Sequence, residues 1–287
     1  MTSLPSSPSA ATLSVDGVAV ARHRDGADVE PVLSPRPYLH PVRTLGGTVV
    51  TEVCPDDHRH HLGVSVAVPD VSGVSFWGGR TFTRDRGSVL LDNHGRQEHL
   101  EWLVEEDSRR VEALSWTDPD GAELVREERT WAARRVGADA WALEVAVRLR
   151  NTSGRPLSIG SPATNGRPRA GYGGFFWRAP IAAEPPRCLG PGVEGEDALH
   201  GSRADWLALA GRSPEGREWT LVFVQDGPDR DPWFLRAAEY PGVGAALAWA
   251  ERLPLPEGGG LERRVVTVVA DGRPDPAALA AAARRRP

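Results

Sequence analysis

In Ala140-Trp141-Ala142-Leu143-Glu144-Val145-Ala146-Val147-Arg148-Leu149-Arg150 every large apolar side chain falls on an odd-numbered position. Successive side chains of a strand point to opposite faces, so Trp141, Leu143, Val145, Val147 and Leu149 share one face of an extended segment. Asn151-Thr152-Ser153-Gly154 closes it with turn-forming residues. The same period-two pattern, punctuated by Gly, Pro, Asp and Asn, continues on both sides. Ala11–Ala21 reads as a first strand with Asp16-Gly17 as a turn. Leu100–Glu105 and Arg110–Trp116 read as paired strands, and Asp118-Pro119-Asp120-Gly121 turns the chain into Leu124–Trp131. Trp219–Gln225 is a further strand. Val243–Arg252 and Leu261–Val269 read as another pair, joined by the loop Pro254–Gly260. Strands at this spacing predict an all-β sandwich. One short C-terminal helix is predicted over Asp275–Arg286, ending in arginines that suit its dipole. The Pro-, Gly- and Glu-rich stretch Arg178–Gly201 reads as a long loop.

The chain has 287 residues, which fits one large β-sandwich domain over 11–287 behind a Ser/Pro-rich segment, 1–10, expected to be disordered. A net charge of -5 with 25% charged residues argues against nucleic acid as a partner. All basic residues are arginine, so Lys Schiff-base and Lys general-base chemistry are excluded. No apolar run is long enough for a membrane helix, and the first residues lack the basic and apolar regions of a signal peptide. Cys54 and Cys188 form no framework or metal-type spacing. These features point to a cytoplasmic protein. No GxSxG, HExxH, CxxC or GxGxxG motif occurs, so no nucleotide cofactor is expected.

The chemistry-bearing residues concentrate early. Of eight histidines, six lie between His40 and His99, and their density peaks in Asp57-His58-Arg59-His60-His61. Extended geometry would aim His58 and His60 one way and His61 the other. A second group is Asp92-Asn93-His94-Gly95 with Glu98 and His99. Imidazoles from two loops with a nearby carboxylate are the material for metal ligation or acid–base work. A third region is Asn165-Gly166-Arg167 and Gly171-Tyr172-Gly173-Gly174-Phe175-Phe176-Trp177-Arg178. There, glycines allow close backbone approach, and Tyr172, Phe176 and Trp177 could stack on a sugar ring while Arg178 holds a carboxylate or hydroxyls. Of the ten tryptophans, Trp77, Trp102, Trp116, Trp131 and Trp141 read as core, and Trp177, Trp206 and Trp233 as a binding platform.

The strings Arg36-Pro37-Tyr38-Leu39-His40-Pro41, Val50-Thr51, Asp57-His58-Arg59-His60-His61-Leu62-Gly63 and Gly73-Val74-Ser75-Phe76-Trp77 resemble the motifs of the PmoA-like (DUF6807) family. The later Gly173–Arg178 and Asp231-Pro232-Trp233-Phe234-Leu235-Arg236 are softer landmarks of the same family. Leu62 stands where that pattern commonly has arginine, and Ser75 where it has aspartate; His40, His58, His60 and His61 keep it. The resemblance implies a large two-sheet antiparallel supersandwich like that of aldose mutarotases, and a link to sugar catabolism with a Gfo/Idh/MocA-type oxidoreductase as functional partner. A true methane monooxygenase subunit is excluded, because it needs several membrane-spanning helices.

Two functions fit. One is an epimerase, lyase or hydrolase acting on a sugar or oxidised sugar. In it His58, His60, His94 and Glu98 do the acid–base work, and Arg36, His40, His61, Asn165, Arg167, Tyr172, Trp177 and Arg178 bind substrate. A divalent metal on His58, His60 and His94 is a variant of that reading. The other is a non-catalytic sugar-binding or partner module.

Overall fold

The computed structural model describes residues 11–227 and 229–285, so the segment 1–10 expected to be disordered lies outside the described residues. The chain is all-β, built from two large antiparallel sheets packed face to face, with one short C-terminal helix. The first sheet has 10 strands, and its main path runs Thr12–Val15, Val18–Arg24, Tyr38–Val42, Val64–Val71, Gly174–Arg178, Gly242–Ala246, Trp233–Arg236. The second has 9 and runs Val193–Glu194, Arg187–Gly190, Trp206–Arg212, Glu218–Val224, Gly260–Asp271, Ala140–Asn151, Glu123–Gly137, Arg109–Thr117, Arg96–Glu105.

Alternation decides what lies between the sheets. Trp141, Leu143, Val145, Val147 and Leu149 of the second sheet meet Val64, Val66, Val68, Phe175, Trp177 and Trp233 of the first in one continuous core. The helix is Pro276–Arg284, with Asp275 capping the N–H groups of Ala277 and Ala278. It lays Leu279, Ala280 and Ala283 on the outer face of the second sheet, over Ala142, Val222, Val266 and Val268.

Several expectations are corrected. Ala11–Ala21 is a hairpin of two strands, because Asp16 and Gly17 adopt positive φ and reverse the chain. Gly242–Ala246 and Gly260–Asp271 are not partners; they sit in opposite sheets, paired with Gly174–Arg178 and with Ala140–Asn151. The stretch after Arg178 is not one loop, since it holds two short strands and the helix Glu196–Leu199. Trp177 and Trp233 are fully buried, with Nε1 donating to Val50 O and Ala204 O, and Trp206 begins an inner strand, so these three form no binding platform. Both cysteines are free thiols, and among the described residues no helix is long and apolar enough to cross a membrane.

Polar ties cross the core at one end. Glu112, fully buried, accepts from His23 Nε2 (3.2 Å), His99 Nδ1 (2.8 Å) and Trp131 Nε1 (2.7 Å). His23 belongs to the first sheet and the others to the second, so one carboxylate bridges both. Burial pushes the Glu112 carboxyl up, but the two imidazole N–H groups outweigh it and hold it well below the usual range. Beside it Arg129 and Glu127, both fully buried, pair at 2.6 Å, and Arg129 also donates to Gln97 Oε1 and Pro37 O. Replacing Glu112 by Gln removes the charge and leaves an N–H donor facing N–H donors. A loss of about 3–5 kcal/mol is expected, as for one-sided loss of a buried charge network, to be read from urea denaturation.

Candidate functional site

Along Gly174–Arg178 alternate residues face away from the core, so Phe176 and Arg178 stand on the outer face of the first sheet while Phe175 and Trp177 enter the core. Arg178 and Arg236 both pair with Gly242, which therefore lies between them in one row. A Cβ at Gly242 would stand 2.8 Å from Tyr240 Cε2, so the glycine leaves room for the Tyr240 ring above the sheet. Trp77, Phe176, Tyr240 and Tyr172 form a small apolar layer on this face.

The histidine-rich loop closes over that layer. It is not extended: His58 N bonds Pro55 O and His61 N bonds His58 O, giving two successive turns. The expected alternation of His58 and His60 against His61 is thereby lost, and all three rings gather. His58 stacks on His61 with centroids 4.6 Å apart and lies 4.5 Å from the Tyr240 ring, while His60 stands 5.7 Å from His58 and 4.8 Å from His61.

Each imidazole has a different environment. His58 Nδ1 donates to Asp57 Oδ2 at 2.8 Å, and the ring is one-third exposed. His61 is buried and its Nδ1 faces Arg178 Nη1 at 3.3 Å. A guanidinium only donates, so His61 Nδ1 accepts and the ring is neutral. Burial, then the neighbouring imidazoles and arginines, keep His61 well below its ordinary range. The half-buried His60 ring makes no hydrogen bond among the described residues. Burial and the Arg36 charge lower its pKa to about 3. Burial pushes the Asp57 carboxyl up, but the His58 hydrogen bond and the Arg178 charge and hydrogen bond together outweigh it and hold the group below its usual range.

The two nearby arginines are consumed in holding this arrangement. Arg178 donates to Glu52 (3.2 Å), Asp57 (3.2 Å) and His61, with its plane 4.7 Å over the Tyr240 ring. Arg36 donates to Ser65 Oγ and to the carbonyls of Leu33, Ser34, Trp77 and His60, the last at 2.6 Å. Both are fully buried, so they fix the loop on the sheet and offer no donor to a ligand.

The remaining expected residues divide. His94 Nε2 donates to the Gly79 carbonyl (2.7 Å), and a Cβ at Gly79 would lie 3.0 Å from His60 Nδ1, so the two histidine loops meet at that glycine. His40 pairs through Nδ1 with Thr51 Oγ1 (3.0 Å) at the edge of the cluster. Tyr172 packs on Trp77 with centroids 4.6 Å apart, and Arg167 is exposed near it. Asn165 is tied to Asp70 and to Phe82 O. Trp177 points into the core. Glu98 is exposed, pairs with Arg96 and lines, with His94, a groove of about 460 Å³. The metal set His58, His60 and His94 does not assemble: His58 Nδ1 and His94 Nε2 are committed, and among the described residues no group of three or more His, Cys, Asp or Glu is arranged to hold a metal. Asp57, Glu52 and Tyr240 carry parts of the site to which the sequence reading gave no role. For Asp57 the signal was present, a carboxylate adjacent to the first histidine.

The lowered His60 pKa has a definite sign. The unfolded chain protonates this ring near 6.5, the folded chain only near 3, so its contribution to stability is whole above 6.5 and lost as pH falls below it. A slope of about 1.4 kcal/mol per pH unit is expected below that point, with a shallower slope for His60→Ala, measured by urea denaturation at a series of pH values.

Among solved structures, heparan sulfate lyase HepC from Pedobacter heparinus matches at 9% identity and a TM-score of 0.41, over 89% of this chain and 34% of that one. A Heparinase III-BT4657 gene product with methylated lysines matches at 9% identity and a TM-score of 0.24, over 65% of this chain and 22% of that one. The chain thus spans about a third or less of these proteins' length. No curated protein matches the sequence. A model described as "Family of unknown function (DUF6807)" matches residues 10–284, nearly the whole chain. The chain belongs to the DUF6807 family.

Proposed function

We propose that this protein is a carbohydrate-active enzyme that moves a proton on a sugar or oxidised sugar, as an epimerase or lyase does, with His58 as the acid–base group. The observation that carries this reading is the Asp57–His58 pair. Asp57 accepts from Nδ1 at 2.8 Å and is itself gripped by Arg178, so the tautomer and orientation of His58 are set. Nε2 then carries the free lone pair on a one-third exposed ring, with no partner among the described residues. A carboxylate that orients an imidazole and stabilises its protonated form is the arrangement acid–base catalysis requires. His60 has a different role. A ring with a pKa of about 3 is a poor base, but when neutral it can donate a hydrogen bond to a carbonyl or hydroxyl oxygen on which charge develops.

The sugar as substrate class rests on the motif resemblance. A mutarotase-like relationship and a Gfo/Idh/MocA-type oxidoreductase acting on the same sugar belong to this proposal. So does a cytoplasmic location.

The test is hydrogen–deuterium exchange of sugar C–H protons by NMR, over a panel of aldoses, keto sugars and uronates. Wild-type protein is expected to exchange one carbon-bound proton. Asp57→Asn should slow that exchange by about 10²–10⁴-fold, and His58→Gln should abolish it, with unchanged circular dichroism. Sugar binding without exchange or turnover by the wild type would assign a binding module instead.

A further inference from the structure

We infer that the ligand of this site carries a carboxylate and that Arg236 reads it. The inference rests on the site proposed above and names its substrate class. Arg36, Arg178 and Arg236 stand near the aromatic layer on this face, and they are not equivalent. Arg36 and Arg178 are fully buried with every guanidinium nitrogen engaged. Arg236 is partly exposed, at 22% of its side chain, and only Nη1 is engaged, with Leu235 O (2.9 Å) and His200 Nδ1 (3.1 Å). Nε and Nη2 have no partner among the described residues. These two donors form the edge of the guanidinium that matches the two oxygens of a carboxylate.

The edge is held in place before any ligand arrives. The Arg236 guanidinium lies 4.8 Å over the Phe234 ring. His200 donates through Nε2 to Arg169 O at 2.9 Å, and its Nδ1 accepts from both Leu235 N and Arg236 Nη1, which fixes the neutral tautomer. Glu196, the nearest carboxylate, spends one oxygen on the N–H groups of Ala237 and Ala238 and approaches Arg236 no closer than 3.6 Å. That distance is too long for a hydrogen bond, so the edge is not closed by an internal pair.

Register places this edge across the site from the imidazoles. Arg178 and Arg236 flank Gly242 in one row, so their backbones lie two strand spacings apart, about 10 Å. Tyr240 fills the gap above the glycine, and His58 leans on Tyr240 from the Arg178 side. The Tyr240 ring is itself buried, so a ligand would lie at the surface beyond it, with His58 at one end and Arg236 at the other. Asp57 and Glu52 put two carboxylates at the imidazole end with one shared guanidinium, so a carboxylate on the ligand can sit only at the far end, beside Arg236.

Isothermal titration with D-glucuronate and D-galacturonate against D-glucose and D-galactose tests this. Wild-type protein is expected to bind a uronate at least about tenfold tighter than its neutral counterpart. Arg236→Gln should erase that preference, and Arg236→Lys, which keeps the charge but loses the two-pronged edge, should retain part of it. Circular dichroism separates these outcomes from misfolding. Equal affinity of the wild type for uronate and neutral sugar, or an intact uronate preference in folded Arg236→Gln, overturns the inference while leaving the acid–base site standing. Binding of neither class to the wild type overturns both.

Discussion

Arg178 puts a guanidinium in a place with no solvent and so dictates what must surround it. Removing such a charge from water costs several kcal/mol unless its donors are met. Here they are met by Glu52, Asp57 and the His61 ring, with the Tyr240 face above. The backbone of the same residue completes the constraint: Arg178 O accepts from Glu52 N, and Arg178 N donates to Gly63 O. The segment between Glu52 and Gly63 therefore leaves the sheet and returns to it at one residue, with Glu52 and Asp57 turned toward Arg178. The tautomer of His61, the orientation of Asp57 and, through Asp57, that of His58 all follow from one buried cation.

The three neighbouring imidazoles show how environment separates chemically identical groups. His61 is sealed and faces a permanent donor, so it can only be a neutral acceptor at Nδ1. His60 is desolvated and near the Arg36 charge, with no carboxylate bonded to it, so its protonated form is disfavoured. His58 alone has both a carboxylate and access to solvent. A proton carrier must gain and lose a charge during its cycle, which only a group with a counter-charge and an open face can do at little cost.

The fold was legible because alternation reports which face of a strand is buried. Trp141 to Leu149 read out the inner face of the second sheet as written. Pairing was less legible. Val243–Arg252 and Leu261–Val269 are close in sequence and look like a hairpin, yet they join different sheets, because the apolar face of each strand finds its neighbours far along the chain. Trp177 misleads for a related reason. Its glycine-rich surroundings suggest a loop, but register with Val64 turns it inward and brings Phe176 and Arg178 outward. In the site, the histidine density was visible in the sequence. Asp57, Arg36 and Arg178, which give those histidines distinct properties, were visible too; the Tyr240 ring beside them was not, since it joins only through strand order.

A second histidine–carboxylate system in the molecule sharpens the distinction between chemistry and scaffolding. Glu112 accepts from two imidazoles and an indole, which on composition alone resembles an acid–base centre more closely than the Asp57 pair does. Its carboxylate, however, is fully buried, both oxygens are occupied, and its partners belong to two different sheets. Changing the charge there would strain the contact that holds one end of the sandwich closed. At Asp57 the carboxylate is partly exposed, and Arg36 anchors the loop through the His60 carbonyl, so the packing of the sheets does not run through the Asp57–His58 pair. What separates the two clusters is whether the fold's stability is routed through the titrating group, a property fixed by strand order and burial.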